Sequence, residues 1–596
     1  MDFSPVWDLD VFFEGGSNSH EFAQYMDALE QDIEQLDKRL STWSMASSQD
    51  DSKQLSEVVA QISDITVRLS QAGAFIECLA AQNVKDQGAK KWGAQFTAYI
   101  AEFKGISAKF DEKLIQMEDG FFSELLEQEP FKEIAFVLQE TRNKAKEKLS
   151  VREESLMEKL AVDGYHGWSD LYDSIVGSIE IPFEENGETK MLSVGQAQNI
   201  FSHPDRAVRK KMFEEWEKAW KKQEELFAHA LNHIAGFRLS VYESRGWKDV
   251  LKEPLEINRM KQETLNSMWE SISDKKEHMS KYLQRKAELL GVEKLSFYDL
   301  DAPLGTEEQK KLSYDEGAQF ILKHFAGFGS KLASFAEGAF QDAWIEAEDR
   351  SNKRPGGFCT DFPASKQSRI FMTYSGSLNN VSTLAHELGH AFHSFAMRDV
   401  HRFNQSYAMN VAETASTFAE MIVSDAAVNE AASKEEKMSM LDDKIQRTIA
   451  LLMNIHARFL FETRFYEERR NGFVPADRLN ELMVEAQKDA YFDSLEEYHP
   501  LFWASKLHFY ITDTPFYNFP YTFGYLFSLG IYEKALHSEG DFEEKYMALL
   551  KDTGSMTVED LVQKHLQEDI SAKGFWEKAV DTCMKDIDAF LELTGK

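Results

Sequence analysis

The segment from residue 386 to residue 390 reads His-Glu-Leu-Gly-His, with two imidazoles four positions apart and a carboxylate directly after the first. Residues four apart on an α-helix are separated by about 400°, so His386 and His390 would project from one face, one turn apart. Two imidazoles at that spacing can bind one zinc ion, and Glu387 can hold the water that zinc polarises. The pattern predicts a metal-assisted hydrolytic site.

This chemistry requires that the motif lie on a helix, and the flanking residues are typical of one. Asn379, Asn380 and Ser382 precede the motif and are candidate N-terminal caps. Apolar residues then recur at helical spacing, and these are Val381, Leu384, Leu388 and Phe392.

A zinc site that keeps one position open for water needs a third protein ligand. In the metzincin pattern this ligand is a histidine six residues after the second one, with a glycine halfway. The chain has His393 at the glycine position and Ala396 at the histidine position, which excludes that class. The alternative is a carboxylate from a later helix. Glu413 and Glu420 lie on nearly one face of the helical stretch 410–421, and periodicity does not choose between them.

A second segment whose side chains could take part in catalysis spans residues 506–530 and is rich in aromatic residues. His508 lies in it, together with three tyrosines at every fourth position, which are Tyr517, Tyr521 and Tyr525. A phenol or imidazole donor is what a tetrahedral oxyanion needs. Packing in the core is the alternative for an aromatic cluster.

Charge and composition exclude several other functions. The 596 residues include 67 Lys and Arg against 101 Asp and Glu, a net charge of −34. Nucleic-acid binding needs local positive charge, so no nucleic-acid partner is expected, and the same argument disfavours an anionic membrane surface. Only 12 prolines occur, which favours long helices.

Cysteine usage and the amino terminus indicate a cytoplasmic protein. The three cysteines, Cys78, Cys359 and Cys583, form neither a disulfide framework nor a paired CxxC zinc site, and they suit a reducing compartment. The first residues are acidic and lack the basic and apolar regions of a secretory signal. No apolar run reaches about 18 residues, so no membrane span is expected.

The elements that must position these residues are mostly helices. Apolar stripes at 26–40 and 55–69 predict two antiparallel helices, separated by the polar stretch 47–52. Asn186-Gly187 predicts a β-hairpin turn, and we place a domain boundary beside it, giving an N-terminal helical domain at 1–195 and a catalytic domain at 196–596. A β-like stretch covers Ile370–Tyr374, and helix resumes from Val381 almost to the end.

Three motifs then carry a resemblance to a known family. HELGHAFH, VAETASTFAE and PFYNFPYTFGYLFS occur in order and at similar separations in the oligoendopeptidase F branch of the thimet oligopeptidase family of zinc metallopeptidases. The resemblance covers residues 200–590 closely. The N-terminal part resembles that branch's own N-terminal domain from about residue 110.

The resemblance implies a fold and further site residues. The fold would be mainly α, of the gluzincin type of zincin, with a multi-helical body around a deep substrate channel and a small β-sheet beside the HExxH helix. Glu413 would be the third zinc ligand, and Glu420 would orient a ligand imidazole. The strand edge at Ile370–Tyr374 would pair with substrate backbone. The implied substrate-binding residues are Phe371, Thr373, Tyr374, Ser375 and Gly376, and the implied carbonyl-binding residues are His508, Tyr517, Tyr521 and Tyr525.

The function expected is that of a metalloendopeptidase with one zinc ion per chain, which hydrolyses internal bonds of short oligopeptides rather than folded proteins. Glu387 would be the general base. Short peptides are the expected partners, and no membrane or obligate protein partner is expected. A peptidyl-dipeptidase or carboxypeptidase of the same fold is the first alternative. A non-catalytic peptide-binding scaffold is the second alternative, although the general base and all three proposed metal ligands are present in the sequence.

Overall fold

The computed structural model describes residues 3–44, 49–185, 187–305, 311–538 and 542–595. Helices dominate this part of the chain and confirm the predicted mainly α class. They are α1 (His20–Thr42), α2 (Gln49–Gln82), α3 (Gln87–Gln116), α4 (Asp119–Leu126), α5 (Ala135–Lys146), α6 (Val151–Ala161), α7 (Gly167–Ser178), α8 (Val194–Asn199), α9 (Arg206–Lys221), α10 (Glu224–Ser244), α11 (Lys252–Ile257), α12 (Gln262–Ser273), α13 (Lys276–Leu289), α14 (Tyr314–Phe328), α15 (Ser330–Gln341), α16 (Leu378–Met397), α17 (Met409–Ala412), α18 (Thr414–Glu430), α19 (Lys434–Ile449), α20 (Ile455–Arg469), α21 (Ala476–Ala490), α22 (Phe502–Ser505), α23 (Phe519–His537), α24 (Phe542–Asp552), α25 (Val558–Leu566) and α26 (Lys573–Leu593).

The first two helices follow from their apolar stripes. Helix α1 begins after Ser19, whose hydroxyl accepts a hydrogen bond from the amide of Phe22, and its stripe is buried along the whole length. The stripe of α2 is buried as well. Two packed helices are therefore confirmed, while residues 47 and 48 of the polar stretch between them lie outside the described residues.

Two small sheets interrupt the helices. Strands β1 (Ile181–Glu185) and β2 (Glu188–Leu192) form an antiparallel hairpin, as the Asn-Gly pair predicts. Gly187 has a φ of +82°, which suits a tight turn, and Asn186 lies outside the described residues. The second sheet contains β3 (Ile345–Glu346), β4 (Phe358–Phe362) and β5 (Gln367–Phe371), in the order β3-β5-β4. It packs beside α16, which confirms the predicted sheet next to the motif helix.

The position of β5 corrects one prediction. Strand β5 pairs in parallel with β3 and antiparallel with β4, so the expectation of a free edge at Ile370–Tyr374 is wrong. Beyond the strand, Tyr374 continues the pairing by donating its amide hydrogen to Ala347 at 2.9 Å. Among the described strands of this sheet, β3 and β4 are the edge strands, and β4 is an edge strand that packs against α16. A peptide that adds to the sheet would therefore pair with β4 rather than β5.

Buried apolar residues form two groups. One contains residues of 7–138 together with Phe362 and Phe371, and the other contains residues of 161–590. Aromatic contacts tie the second sheet to the first group, since Phe12 stacks on Phe362 with ring centroids 3.9 Å apart. The domain boundary near residue 195 stays a prediction.

The three cysteines are free thiols. No helix in the described ranges is both long and apolar enough to cross a membrane.

Candidate active site

Helix α16 carries the motif and has the predicted buried stripe. Its cap is Ser377, whose hydroxyl accepts a hydrogen bond from the amide of Asn380 at 3.2 Å. The predicted caps Asn379, Asn380 and Ser382 are wrong, because the helix begins earlier, at Leu378. The side chain of Asn380 instead accepts hydrogen bonds from Ser375, which fixes the loop before the helix.

Gly389, inside the motif, lets α18 approach α16 closely. A Cβ placed on Gly389 would lie 2.4 Å from the carbonyl oxygen of Ala415 and 2.5 Å from the Cα of Ser416. Any side chain there would push the two helices apart. The glycine therefore has a positional role that the metal-binding pattern by itself does not reveal.

Glu413 lies where the predicted continuous helix breaks, between α17 and α18. The break points its carboxylate toward the two histidines. Its Oε2 is 3.2 Å from Nε2 of His386 and 3.4 Å from Nε2 of His390. Ser416 donates a hydrogen bond to the same oxygen at 2.7 Å. One candidate ligand atom from each of the three residues lies within 4.8 Å of the others.

The electrostatics of this group favour an ionised carboxylate. Burial would raise the pKa of Glu413, but the contacts with His386 and His390 outweigh burial and hold the pKa below its usual range. On the other side, Gly524 of α23 allows close packing, since a Cβ there would lie 3.3 Å from the Cβ of Glu413. Helices α16, α18 and α23 thus converge on one carboxylate.

Glu420 contacts the far side of His386. Its Oε2 is 3.0 Å from Nδ1 of that histidine. Its other oxygen forms an ion pair with Arg447 of α19. Sequence reasoning missed Arg447, because nothing in the spacing of α19 links it to the motif helix. The three side chains form a chain of contacts from His386 through Glu420 to Arg447.

Glu387 is almost withdrawn from solvent, with 8% of its surface exposed. It lies beside the residue that precedes β4, because a Cβ on Gly357 would be 3.8 Å from Glu387 Oε1. Burial raises the pKa of Glu387, and His386 and His390 oppose that shift. The carboxylate therefore lies between the histidine pair and the strand with the free edge.

His393, the third histidine of the helix, faces elsewhere. It is fully buried, and its Nε2 is 3.0 Å from the hydroxyl of Thr553. Its ring stacks on Tyr407 with centroids 4.3 Å apart. Packing accounts for this histidine, in agreement with the exclusion of the metzincin pattern.

Of the four predicted residues in the aromatic segment, the structure brings three together and places the fourth elsewhere. Tyr521 donates a hydrogen bond to the hydroxyl of Tyr517 at 3.3 Å, and the ring of Tyr517 lies 5.5 Å from that of His508. Tyr525 is not part of this cluster. Its hydroxyl is buried 2.9 Å from that of Thr448 and accepts a hydrogen bond from Cys583.

His508 is neutral near pH 7. Burial, and then the nearby cations Arg458 and Lys506, lower the pKa of His508 to about 4. Its Nδ1 is buried without a hydrogen-bond partner among the described residues. A neutral imidazole with a free ring nitrogen can donate to, or accept from, a peptide group that arrives beside it.

The five predicted substrate-binding residues differ in accessibility. Phe371 is fully buried, and Gly376 is buried in a turn with a φ of +92°. The hydroxyl of Tyr374 donates to the carbonyl of Ser313 at 3.3 Å. Of these five positions, Thr373 and Ser375 have exposed side chains.

Two family patterns match the chain. The pattern described as "Peptidase family M3" matches residues 200–581, and the pattern described as "Oligopeptidase F" matches residues 113–180. Among curated relatives, oligopeptidase PepF of Bacillus subtilis (strain 168) is 24% identical over 465 residues, which cover 75% of this chain and 67% of the relative. An oligoendopeptidase F homolog of Lactococcus lactis subsp. lactis is 22% identical over 84% of both chains.

Solved structures share the fold. A Chlamydophila abortus structure superposes with a TM-score of 0.83 at 21% identity and covers 99% of both chains. Oligoendopeptidase F from Enterococcus faecium superposes with a TM-score of 0.70 at 18% identity, covering 96% of this chain and 98% of the other. Since the first family pattern spans more than half of the sequence, the chain belongs to peptidase family M3.

Proposed function

We propose that the chain is a zinc-dependent endopeptidase that hydrolyses internal bonds of short peptides. The observation that carries this proposal is the group formed by His386, His390 and Glu413, next to the buried carboxylate of Glu387. The names of the curated relatives, oligopeptidase and oligoendopeptidase, support short peptides as the substrate class.

The donor set fits zinc in chemistry and spacing. Two imidazoles and one carboxylate are a common ligand set of catalytic zinc sites, which leave one position open. Donor atoms about 2.0–2.1 Å from one ion in a tetrahedron stand roughly 3.3 Å apart. The separations from Glu413 Oε2 to the two Nε2 atoms are 3.2 and 3.4 Å. A zinc ion held there would act as a Lewis acid toward water and a peptide carbonyl.

Glu387 is the proposed general base. Its position on α16, directly after the first histidine, places its carboxylate beside the same group without making it a ligand. The carboxylate accepts a proton from the attacking water and later donates it to the leaving amine nitrogen. Burial beside Gly357 keeps bulk water from competing for that proton.

His508, Tyr517 and Tyr521 are the proposed donors to the carbonyl oxygen. Burial raises the pKa of Tyr521, and its bond to Tyr517 adds to the shift, so the phenol stays protonated. Its one hydroxyl proton, which is donated to Tyr517 in this structure, would turn to the carbonyl oxygen of a bound peptide. A donor placed where negative charge develops stabilises the transition state more than the ground state. We leave out Tyr525, whose hydroxyl is used within the core.

A panel of fluorescence-quenched peptides tests the function. The peptides share one cleavable core, range from about 5 to about 40 residues and exist with free ends and with both ends blocked. We expect cleavage of short blocked peptides and little cleavage of long ones. If only peptides with a free carboxyl end were cut, the enzyme would be a peptidyl-dipeptidase or carboxypeptidase. No cleavage of any peptide by zinc-loaded protein would overturn the proposed function.

A further inference from the structure

A small cavity beside His508 contains two cations that form no ion pair with a carboxylate of the described residues. Its volume is about 170 Å³, and the polar side chains around it include Asp301, Gln446, Asn454, Arg458, Ser505 and Lys506. Typical sites for drug-sized ligands are about 300–1,000 Å³. The cavity therefore suits the end of a molecule rather than a whole one.

Lys506 is the unusual member of this group. Its ammonium forms no hydrogen bond or ion pair with any residue in the described ranges, and it lies 5.1 Å from the ring of Phe502. Arg458 lies 5.3 Å from the same ring. Within the part of the chain that the structure describes, its guanidinium donates only to the amide oxygens of Asn454 and Asn518, each at 2.9 Å.

Other lysines of the chain with little exposed surface do find an acceptor. Lys286 lies 3.2 Å from the carboxylate of Asp442, and Lys444 lies 2.8 Å from that of Asp586. Lys276 donates to a backbone carbonyl at 2.9 Å. Lys506 and Arg458 are each partly exposed and line one cavity without a carboxylate partner among the described residues, which is an unusual pairing of cations in a chain with a net charge of −34.

Asp301 does not form an ion pair with either of these two cations. It lines the cavity and attracts Lys506 through space, but the two groups form no ion pair. Burial lowers the pKa of Lys506 to about 7, and Arg458 adds to the shift. Burial also lowers the pKa of Arg458, to about 10. In both cases burial outweighs the attraction of nearby groups, since neither cation forms an ion pair with a residue in the described ranges.

The cavity is next to the proposed carbonyl-binding residues. Lys506 precedes His508 by two positions, and Arg458 holds Asn518, the neighbour of Tyr517. The ring of Tyr517 lies 5.5 Å from that of His508. A peptide whose carbonyl contacts His508 could therefore extend its carboxyl end toward the two cations.

We propose that Lys506 and Arg458 bind the free terminal carboxylate of a peptide substrate in this cavity. The inference rests on the proposed function and adds a preference to it. Short peptides with a free carboxyl end would bind more tightly than blocked ones, while blocked peptides would still be cut. A carboxylate accepts charge-assisted hydrogen bonds from both cations, each stronger than a neutral one.

Three matched peptides test the site in hydrolysis. They share a cleavable core and end in a free carboxylate, in a carboxamide, or in a glutamate that carries a carboxamide. We expect a KM for the free acid about tenfold below that for the amide, the effect of one charge-assisted contact. Lys506→Met and Arg458→Gln should bring this ratio close to one, Lys506→Arg should restore it, and the exposed Lys488→Met should leave it unchanged.

Equal KM values for acid and amide in the wild type, or an unchanged ratio in both cavity variants, would overturn the inference. If the glutamate amide bound as tightly as the free acid, the site would be one for acidic side chains rather than for a terminus.

Fluorescence anisotropy with a labelled uncleaved dipeptide, as acid and as amide, measures binding without hydrolysis. If no peptide were cut but the acid bound more tightly, with a loss in Lys506→Met, the site would stand and the proposed function would fall. Circular dichroism melting checks that both cavity variants fold.

Discussion

The candidate metal centre and the aromatic segment are positioned by different structural means. The two histidines lie on a single regular helix, so their separation follows from helical geometry alone. His508, Tyr517 and Tyr521 instead come from a short helical turn, a loop and the start of α23. Their positions depend on neighbours from distant parts of the chain. Regular spacing predicts contacts within one element, and irregular segments must be placed by tertiary packing.

Loss of the Glu387 carboxylate should have the largest effect. Glu387→Gln keeps the shape of the residue but removes the proton acceptor, so we expect kcat to fall by roughly 10²- to 10⁴-fold. Zinc content should stay at the wild-type level, because Glu387 is not among the proposed ligands. Steady-state cleavage of a quenched peptide and metal analysis measure both, with the exposed Glu435→Gln as control. Normal turnover in Glu387→Gln would assign the base to another residue.

Two tyrosine substitutions distinguish a role in the aromatic cluster from a role in the core. Tyr521→Phe removes a proposed carbonyl donor and should lower kcat by about 10²-fold, with little change in stability. Tyr525→Phe removes a hydroxyl that contacts Thr448 in the core, so it should cost about 1 kcal/mol of unfolding free energy and leave kcat near the wild-type value. Peptide kinetics and thermal melts distinguish the two. A larger loss of kcat in the Tyr525 variant would reverse the assignment.

The contacts of Glu420 with His386 and Arg447 are expected to affect zinc binding. Glu420→Gln and Arg447→Met each disturb the chain that orients this imidazole, and each should weaken zinc binding by roughly 10- to 100-fold. Because both act through Glu420, the double variant should lose less than the product of the single effects. Competition with a fluorescent chelator measures the affinities. Fully independent effects would show that Arg447 does not act through Glu420.

Substitution of Gly389 tests how closely α16 and α18 must pack. Gly389→Ala would place a methyl group 2.4 Å from the carbonyl oxygen of Ala415, so we expect a loss of about 1–3 kcal/mol in stability and weaker zinc binding. Gly338→Ala, in α15, is the matched control, because its Cβ would meet no atom within 4 Å. That variant should be neutral or more stable by up to about 1 kcal/mol. Urea unfolding compares the two, and equal stabilities would contradict the packing argument.

Sequence alone predicted the parts of the fold that depend on periodicity. The stripes of α1, α2 and α16 and the β1–β2 hairpin follow from residue spacing and turn chemistry. The middle position of β5 does not follow from the sequence, because its parallel partner β3 is only two residues long and is not adjacent to it in the chain. The cap at Ser377 was missed because several polar residues compete at that position.

Only the part of the candidate site that lies on one helix could be predicted from the sequence, as was the case for the fold. The histidine pair and Glu387 follow from a five-residue pattern, whereas Arg447 and the burial of Tyr525 depend on how α19 and α26 pack against α18 and α23. The residue types in these later helices do not indicate which side chains they contact. The roles of Arg447 and Tyr525 therefore follow only from the tertiary structure.

Zinc stoichiometry tests the central claim most directly. Protein purified without chelator should contain one zinc ion per chain by mass spectrometry of the intact, native protein and by elemental analysis. The double variant His386→Ala with His390→Ala should contain none, Glu413→Ala should lose zinc to a weak chelator, and Glu435→Ala should match the wild type. Wild-type protein without stoichiometric zinc, or a double histidine variant that retains it, would contradict the account.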